Sequence, residues 1–363
     1  MGGYVGLAPA GFPNVALSNY AKEFADDAVP LVGDLICPKV PVERQSFPFV
    51  IWNRDNLRIP GSTLRAPSDG ATTIRRSFST NSYFARSHAL KGSVPFESEA
   101  YGLGLGFSEK LHLTGDLIGR IRRARESEIT KMALSATNFP NGVIYTTSST
   151  PAQWDSYITN PSDDTEATVT SHPIVDVETY KAILRQAAVQ DSEMVLILSD
   201  PVVTALVNHP DIINRFKYTN LGGQISLDQL TSVFGVKCVR ASALTMSQNN
   251  VASWIWGYNA FLGMAKSSPD RNDVSCMKTF VWAGGKGPGA GGENVALPGA
   301  PGTIDGYGVL EWLDPELDKK TYWQSVDWYY DIQVTAVETG IPLINVVDSA
   351  NFTMGTIPGD IES

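Results

Sequence analysis

The 363-residue sequence contains no uninterrupted apolar run of about 18 residues, so no membrane-spanning helix is expected. Its first residues, MGGYVGLAPAGFPNVAL, lack the basic start and long apolar centre of a secretory signal. Position six is glycine rather than Ser or Thr, which argues against myristoylation. Cysteine is scarce: Cys37, Cys238 and Cys276 are widely spaced and odd in number. That pattern reads as reduced thiols buried as small hydrophobes, not as a disulfide framework. There is no CxxC and no HExxH, and His88, His112, His172 and His209 stand at least 24 residues apart, so no local metal signature exists. No GxSxG elbow is present, which removes one common nucleophile geometry. Lysine is missing from the whole stretch between Arg44 and Leu90, with Lys39 and Lys91 flanking it.

Two glycine clusters invite a nucleotide-loop reading and fail on spacing. Gly285-Lys286 is followed by Gly287 instead of Ser or Thr, and Phe280 occupies the required first glycine position. Gly102-Leu103-Gly104-Leu105-Gly106 is followed by Phe107 and misses the dinucleotide pattern; a strand or bend is the simpler reading. Trp254, Trp256, Trp282, Trp312, Trp323 and Trp328 could form a ligand platform, but tryptophans sharing one strand face, as Trp254 and Trp256 would, more often serve a core or an interface.

Charge is uneven along the chain. The formal net charge is −10, which argues against a surface that grips nucleic acid through Lys and Arg, though not against enclosing it. Residues 41–90 hold seven arginines and three acids, a local balance of +4, whereas residues 305–363 stand at −9. A basic segment and an acidic body on one chain suggest head-to-tail contact between copies; scattered solvated charge is the alternative.

The best-specified stretch is 194–240. Met194 to Leu198 is a short apolar run suited to a buried strand. Ser199 or Asp200 can cap a helix with Pro201 in its first turn, and Val203, Leu206 and Val207 follow at helical spacing. Pro210 breaks that helix, and Asp211 can begin a short turn over Ile212 to Phe216. Gly222-Gly223 make a turn, Ser226 and Gln229 have capping-box spacing, and Gly235 suits a left-handed stop before a strand from Val236 to Val239. The segment specifies shape and carries no recognisable chemistry.

Elsewhere, residues 1–40 read as an arm with a short amphipathic helix near Leu17 to Phe24. Residues 41–100 suit two long strands, Phe47 to Trp52 and Ile74 to Phe84, joined by a wide turn. Such a ribbon is marginal alone and needs a surface to lie on. Residues 108–137 predict the longest helix, with Leu117, Ile118, Ile121, Ala124, Ile129 and Met132 as its apolar stripe, Asp116–Arg120 and Arg122–Glu126 as exposed pairs, and Pro140 as its end. Val177, Tyr180, Ile183, Leu184 and Ala187 define a second helix. Residues 283–306 read as a Gly/Pro-rich loop, and Trp328, Tyr330, Ile332, Val334 and Ala336 alternate as the buried face of a strand. Asn351 to Ser363 read as a loose tail.

The run from LILSDPVVTALVNHPDIINRFKYT through LTSVFGVKCVRASAL resembles the axial domain of tailed-bacteriophage major capsid proteins of the Hong Kong 97 type. AVPLVGDLICPKVPVERQSFPFVIW resembles that family's N-terminal arm and extended loop, WIWGYNAFLGMA its later axial strand, and WQSVDWYYDIQVTAVETGIPLINV its closing strands. The resemblance implies an α+β fold in which 1–40 is the N-terminal arm, 41–100 an extended β-hairpin loop and 101–190 a peripheral domain with the spine helix at 108–137. It further implies an axial α/β domain at 191–275, returning strands at 276–350 and a tail at 351–363. It implies no enzyme and no cofactor, but a virion shell of hexamers and pentamers enclosing double-stranded DNA without sequence-specific binding, with assembly in the host cytoplasm. Scaffolding, portal or decoration proteins are possible separate partners. In that family the extended loop lies across the neighbouring subunit, so Arg54, Arg58, Arg65, Arg75 and Arg76 are the candidate inter-subunit contacts. Some members cross-link a loop lysine to an asparagine of another subunit; with no lysine in this loop, a non-covalent shell is expected. An encapsulin-like nanocompartment shell is the nearest alternative, and an enzyme with a Gly-rich nucleotide loop a distant one.

Overall fold

The computed structural model describes residues 12–13, 31–51, 64, 79–146, 151–159, 171–187, 189–216, 225–246, 251–264, 266, 274–286, 294–295, 307–314 and 320–352. The predicted helix near Leu17 to Phe24, the turn at Gly222-Gly223 and the tail beyond Phe352 lie outside them. From the N-terminus the elements are β1 (Phe12–Pro13), α1 (Gly33–Ile36), β2 (Lys39–Arg44), β3 (Ser46–Ile51), β4 (Ser79–Phe84), β5 (Arg86–Pro95), α2 (Phe96–Leu105) and α3 (Glu109–Ala133). Next come β6 (Val143–Ile144), α4 (Ser156–Thr159), α5 (Pro173–Gln186), β7 (Met194–Ser199), α6 (Asp200–Val207), α7 (Pro210–Phe216), α8 (Leu227–Phe234) and β8 (Lys237–Ala241). The strands β9 (Leu244–Met246), β10 (Ala252–Trp254), β11 (Ala260–Met264), β12 (Met277–Lys286), β13 (Asn294–Val295), β14 (Gly308–Leu313), β15 (Thr321–Val334) and β16 (Gly340–Ile344) complete the order.

One sheet runs β6-β16-β11-β7-β8. All six residues of β7 are buried, because its two faces serve two cores. Met194, Leu196 and Leu198 pack with Val177, Leu184, Leu206, Leu230 and Phe234 from the helices, while Val195 and Ile197 join the core beneath α3. A strand covered on both sides needs no polar alternation, hence the unbroken apolar run. The helix boundaries follow their local signals. At α8 the Ser226 hydroxyl accepts from the Gln229 N–H at 3.3 Å, and the Gln229 side chain accepts from the Ser226 N–H at 2.9 Å. Gly235 closes the helix with φ of 63°, a left-handed conformation that costs a residue with a Cβ. Ser199 stands before α6 but makes no side-chain capping bond, and Pro210 opens α7 instead of merely ending α6.

The second, larger sheet is organised by β15. It pairs with β5 along one edge, and with β14 and then β12 along the other; β2 adds to β12 in parallel. Gln324, Val326, Trp328, Tyr330 and Ile332 alternate as its buried face. The helix α3, 25 residues and so about 37 Å long, lies over β5 and β15 with Leu117, Ile118, Ile121 and Ile129 inward.

Several expectations need correction. The stripe of α3 passes through Arg125, not Ala124, which is exposed. Glu126 is buried as well, not part of an exposed pair. The helix stops at Ala133, where the Asn138 side-chain amide donates to the Met132 carbonyl at 3.1 Å, well before Pro140. The cluster Gly102 to Gly106 forms the end of a helix, not a strand or bend, because the chain needs a tight reversal from β5 into α3 and Gly106 supplies a left-handed cap. The first residues assigned to the Gly-rich loop continue β12 as far as Lys286, where it pairs with β13. Trp256 sits in the turn after β10 and not on its strand.

Candidate assembly interface

The ribbon of β3 and β4 pairs antiparallel from Ser46↔Phe84 to Ile51↔Ser79. Its root is an aromatic cluster. Phe280 of β12 stacks on Tyr83 at 4.4 Å between ring centroids and packs against Phe49 at 5.3 Å, and all three side chains are buried. The Tyr83 hydroxyl donates to the Arg44 carbonyl at 3.2 Å, and the Phe84 N–H donates to the Asp331 carboxylate at 2.9 Å. The body therefore supplies the third surface that a two-stranded ribbon lacks. Arg54, Arg58, Arg65, Arg75 and Arg76 all lie outside the described residues. Leu64, between the two strands in sequence, is 91% exposed.

A second junction fastens residues 32–37 to the body. Arg125 reaches Asp34, the Cys37 carbonyl at 3.0 Å and the Thr279 hydroxyl at 2.8 Å. Glu126, the next residue, accepts from the N–H groups of Val32 (3.2 Å) and Gly33 (2.9 Å) and from the Trp256 indole at 2.8 Å. A Cβ at position 33 would collide with that carboxylate, so the close approach requires glycine. Burial pushes the Glu126 carboxyl above its ordinary range, against the Trp256 and Gly33 hydrogen bonds that favour its charged form. Burial also raises Asp34, but Arg125 and Lys39 outweigh it and leave that carboxyl below its usual value. The signal for this junction was present in the spacing: two charges at 125 and 126 within a stripe bounded by Ile121 and Ile129. Glu126 was read as half of an exposed pair with Arg122 and Arg125 was not singled out, so the junction was missed.

Exposed apolar side chains form a third feature. On α2, Tyr101 is 71%, Leu103 60% and Leu105 62% exposed, and Phe107 and Leu111 beyond it are exposed too. The hairpin of β9 and β10 likewise presents Leu244 and Met246.

Groups capable of chemistry are engaged in structure. Burial raises the Cys37 and Cys238 thiols to about 11 and Cys276 further, so all three are protonated and poor nucleophiles at neutral pH. Ser171 and His209 meet at 3.0 Å, but His209 Nδ1 accepts from the Asp211 N–H at 3.2 Å. The ring proton is then on Nε2, which donates to Ser171 Oγ and cannot take the hydroxyl's proton. Among the described residues no group of three His, Cys, Asp or Glu side chains is placed to hold a metal ion. Lys39 and Lys91, which flank the ribbon, lie over the Trp328 and Trp323 rings at 5.8 and 5.1 Å.

No family model matches the sequence, and no curated protein matches it either. Solved structures do. A phage-related protein from Bordetella bronchiseptica RB50 superposes with a TM-score of 0.64 at 20% identity, over 93% of this chain and 98% of that one. A chain from the capsid of cyanophage P-SCSP1u superposes with a TM-score of 0.52 at 10% identity, over 95% of this chain and 92% of that one. Together with the ribbon, the long helix and the separate five-stranded sheet, these likenesses establish the architecture: the chain has the Hong Kong 97-type capsid fold.

Proposed function

We propose that this protein is the major capsid protein of a tailed phage or prophage, many copies of which form hexamers and pentamers that close into an icosahedral shell around double-stranded DNA. The observation that carries this reading is the extent of the likeness to the cyanophage capsid chain, 95% of this chain and 92% of that one. The exposed apolar side chains of α2 and of the β9–β10 hairpin support it, since a monomer gains nothing from leaving them in water. So does the two-stranded ribbon, rooted on the body by aromatics. The basic ribbon of one copy would lie on the acidic body of the next. Single exposed ion pairs contribute at most about 1 kcal/mol, and repetition around a closed shell makes that sufficient.

Lacking a lysine between Arg44 and Leu90, the ribbon has no amine for an isopeptide, so the shell is held without covalent cross-links. Sedimentation of the expressed chain tests assembly: fast-sedimenting particles are expected, and a population of monomers at every concentration would refute it. A denaturing gel of those particles should show a single band at the subunit mass; a ladder of linked subunits would refute the non-covalent shell. Particles recovered from their native source should carry DNA, and enzyme cargo in its place would point to a nanocompartment.

A further inference from the structure

The charges of α3 are sorted by side. On the covered side, Glu126 accepts from the backbone of residues 32 and 33, Glu128 accepts from the Tyr330 hydroxyl at 3.0 Å, and Arg125 reaches Asp34. Arg120, Arg123 and Lys131 are exposed instead, and among the described residues none of the three has a carboxylate partner. Asp116 is the one acid on their side, and it does not pair with Arg120 one turn away. With Gly119, Ala124 and Ser127 between them, these positions fall on one face of the helix, and Arg120 to Lys131 spans about 16 Å.

This face suits phosphate better than protein. Among the described residues it exposes no large apolar side chain between Asp116 and Lys131, so it lacks the apolar centre of a protein interface. Nucleic-acid interfaces are polar and positively charged, and a guanidinium meets phosphate oxygens in pairs. The stripe is as long as about five phosphates along one strand of a duplex. Its place in the fold agrees. Successive residues of β12 point to opposite faces of the large sheet. Phe280 joins Phe49 and Tyr83 in the ribbon root, whereas Val281 joins the core under α3. Ribbon root and helix therefore stand on opposite faces, and in a shell one subunit thick one of those faces looks inward.

We propose that the exposed face of α3 lines the inside of the shell and contacts the phosphate backbone of the enclosed duplex through Arg120, Arg123 and Lys131, without reading its sequence. This rests on the shell reading and names the surface that meets the shell's content. A chain of formal net charge −10 does not grip DNA, and three cations per copy do not make it do so. Each contact is weak and salt-sensitive, and the copies multiply it.

Neutralising three phosphates gives log affinity a slope of about −2.7 against log salt, or about 40-fold weaker binding at about 200 mM than at 50 mM. Fluorescence anisotropy of the unassembled subunit with a short labelled duplex should show that fall. Arg120→Ala, Arg123→Ala and Lys131→Ala together should flatten it, while Arg215→Ala with Lys237→Ala, exposed on α7 and β8, should not. No measurable wild-type binding at low salt, or an unchanged slope in the triple variant, would overturn the assignment.

Particles decide between DNA and a second copy as the occupant. Arg120→Glu, Arg123→Glu and Lys131→Glu together should assemble in wild-type yield. A loss of particles with an unchanged thermal midpoint of the subunit would mean that another copy covers this face, and would overturn the proposal. In DNA-filled wild-type particles, formaldehyde should link Lys131 to DNA, as peptide mass spectrometry reads; links confined to other lysines would overturn it and leave the shell reading standing. A wild-type chain that forms no particles would overturn both.

Discussion

Glu126 accepts hydrogen bonds from two backbone N–H groups and the Trp256 indole while almost wholly enclosed. Removing it strands three donors, so Glu126→Ala should cost about 3–5 kcal/mol in chemical denaturation of the unassembled subunit. Glu126→Gln keeps one acceptor and should cost less. His209 sets an acid limit. Burial pushes its imidazole down to about 4 from an ordinary 6.5. A depressed histidine pKa means that the unfolded state binds the proton first: its stability contribution is complete above pH 6.5 and is lost as pH falls towards 4. The shift corresponds to about 3 kcal/mol. The unfolding free energy at pH 4 relative to pH 7 should drop by about that much more for the wild type than for His209→Gln, and equal drops would contradict the assignment. The enclosure of His209 was not legible from the sequence, and that of Glu126 only through its place in the apolar stripe of α3, since enclosure of a lone charge or imidazole depends on which distant elements cover it.

The elements divide by how local their causes are. Between β7 and β8 the buried strand, the capping box of α8 and the Gly235 stop were legible, because capping and glycine signals act within one turn. Ser226→Ala should accordingly cost about 1 kcal/mol, measured by thermal unfolding. The end of α3 was misplaced because Asn138, not a proline, terminates it, and α2 was misread because Gly102 packs closely on Phe107 and Gly106 caps the helix. The ribbon was visible as two strands, but its root was not, since Phe280 lies far from both strands in sequence. Phe280→Ala should cost about 3–5 kcal/mol and raise hydrogen exchange in Ser46–Ile51 and Ser79–Phe84 more than in β7. Uniform exchange across both regions would mean that the cluster does not anchor the ribbon.

At the scale of the molecule, the fold was legible as an ordered set of shape patterns, and the structural likenesses establish it. The five candidate contact arginines remain a sequence-based proposal, because they lie outside the described residues. Reversing Arg75 and Arg76 to Glu should lower particle yield without changing the melting of the unassembled subunit, since those residues are proposed to act between copies. Added salt should weaken assembly in the same direction, as screening acts on exposed charges. Negative-stain electron microscopy of the expressed protein tests the central claim most directly. Closed particles of uniform diameter, with hexagonal and pentagonal capsomers in class averages, are the predicted result; dispersed single subunits at high protein concentration would contradict it.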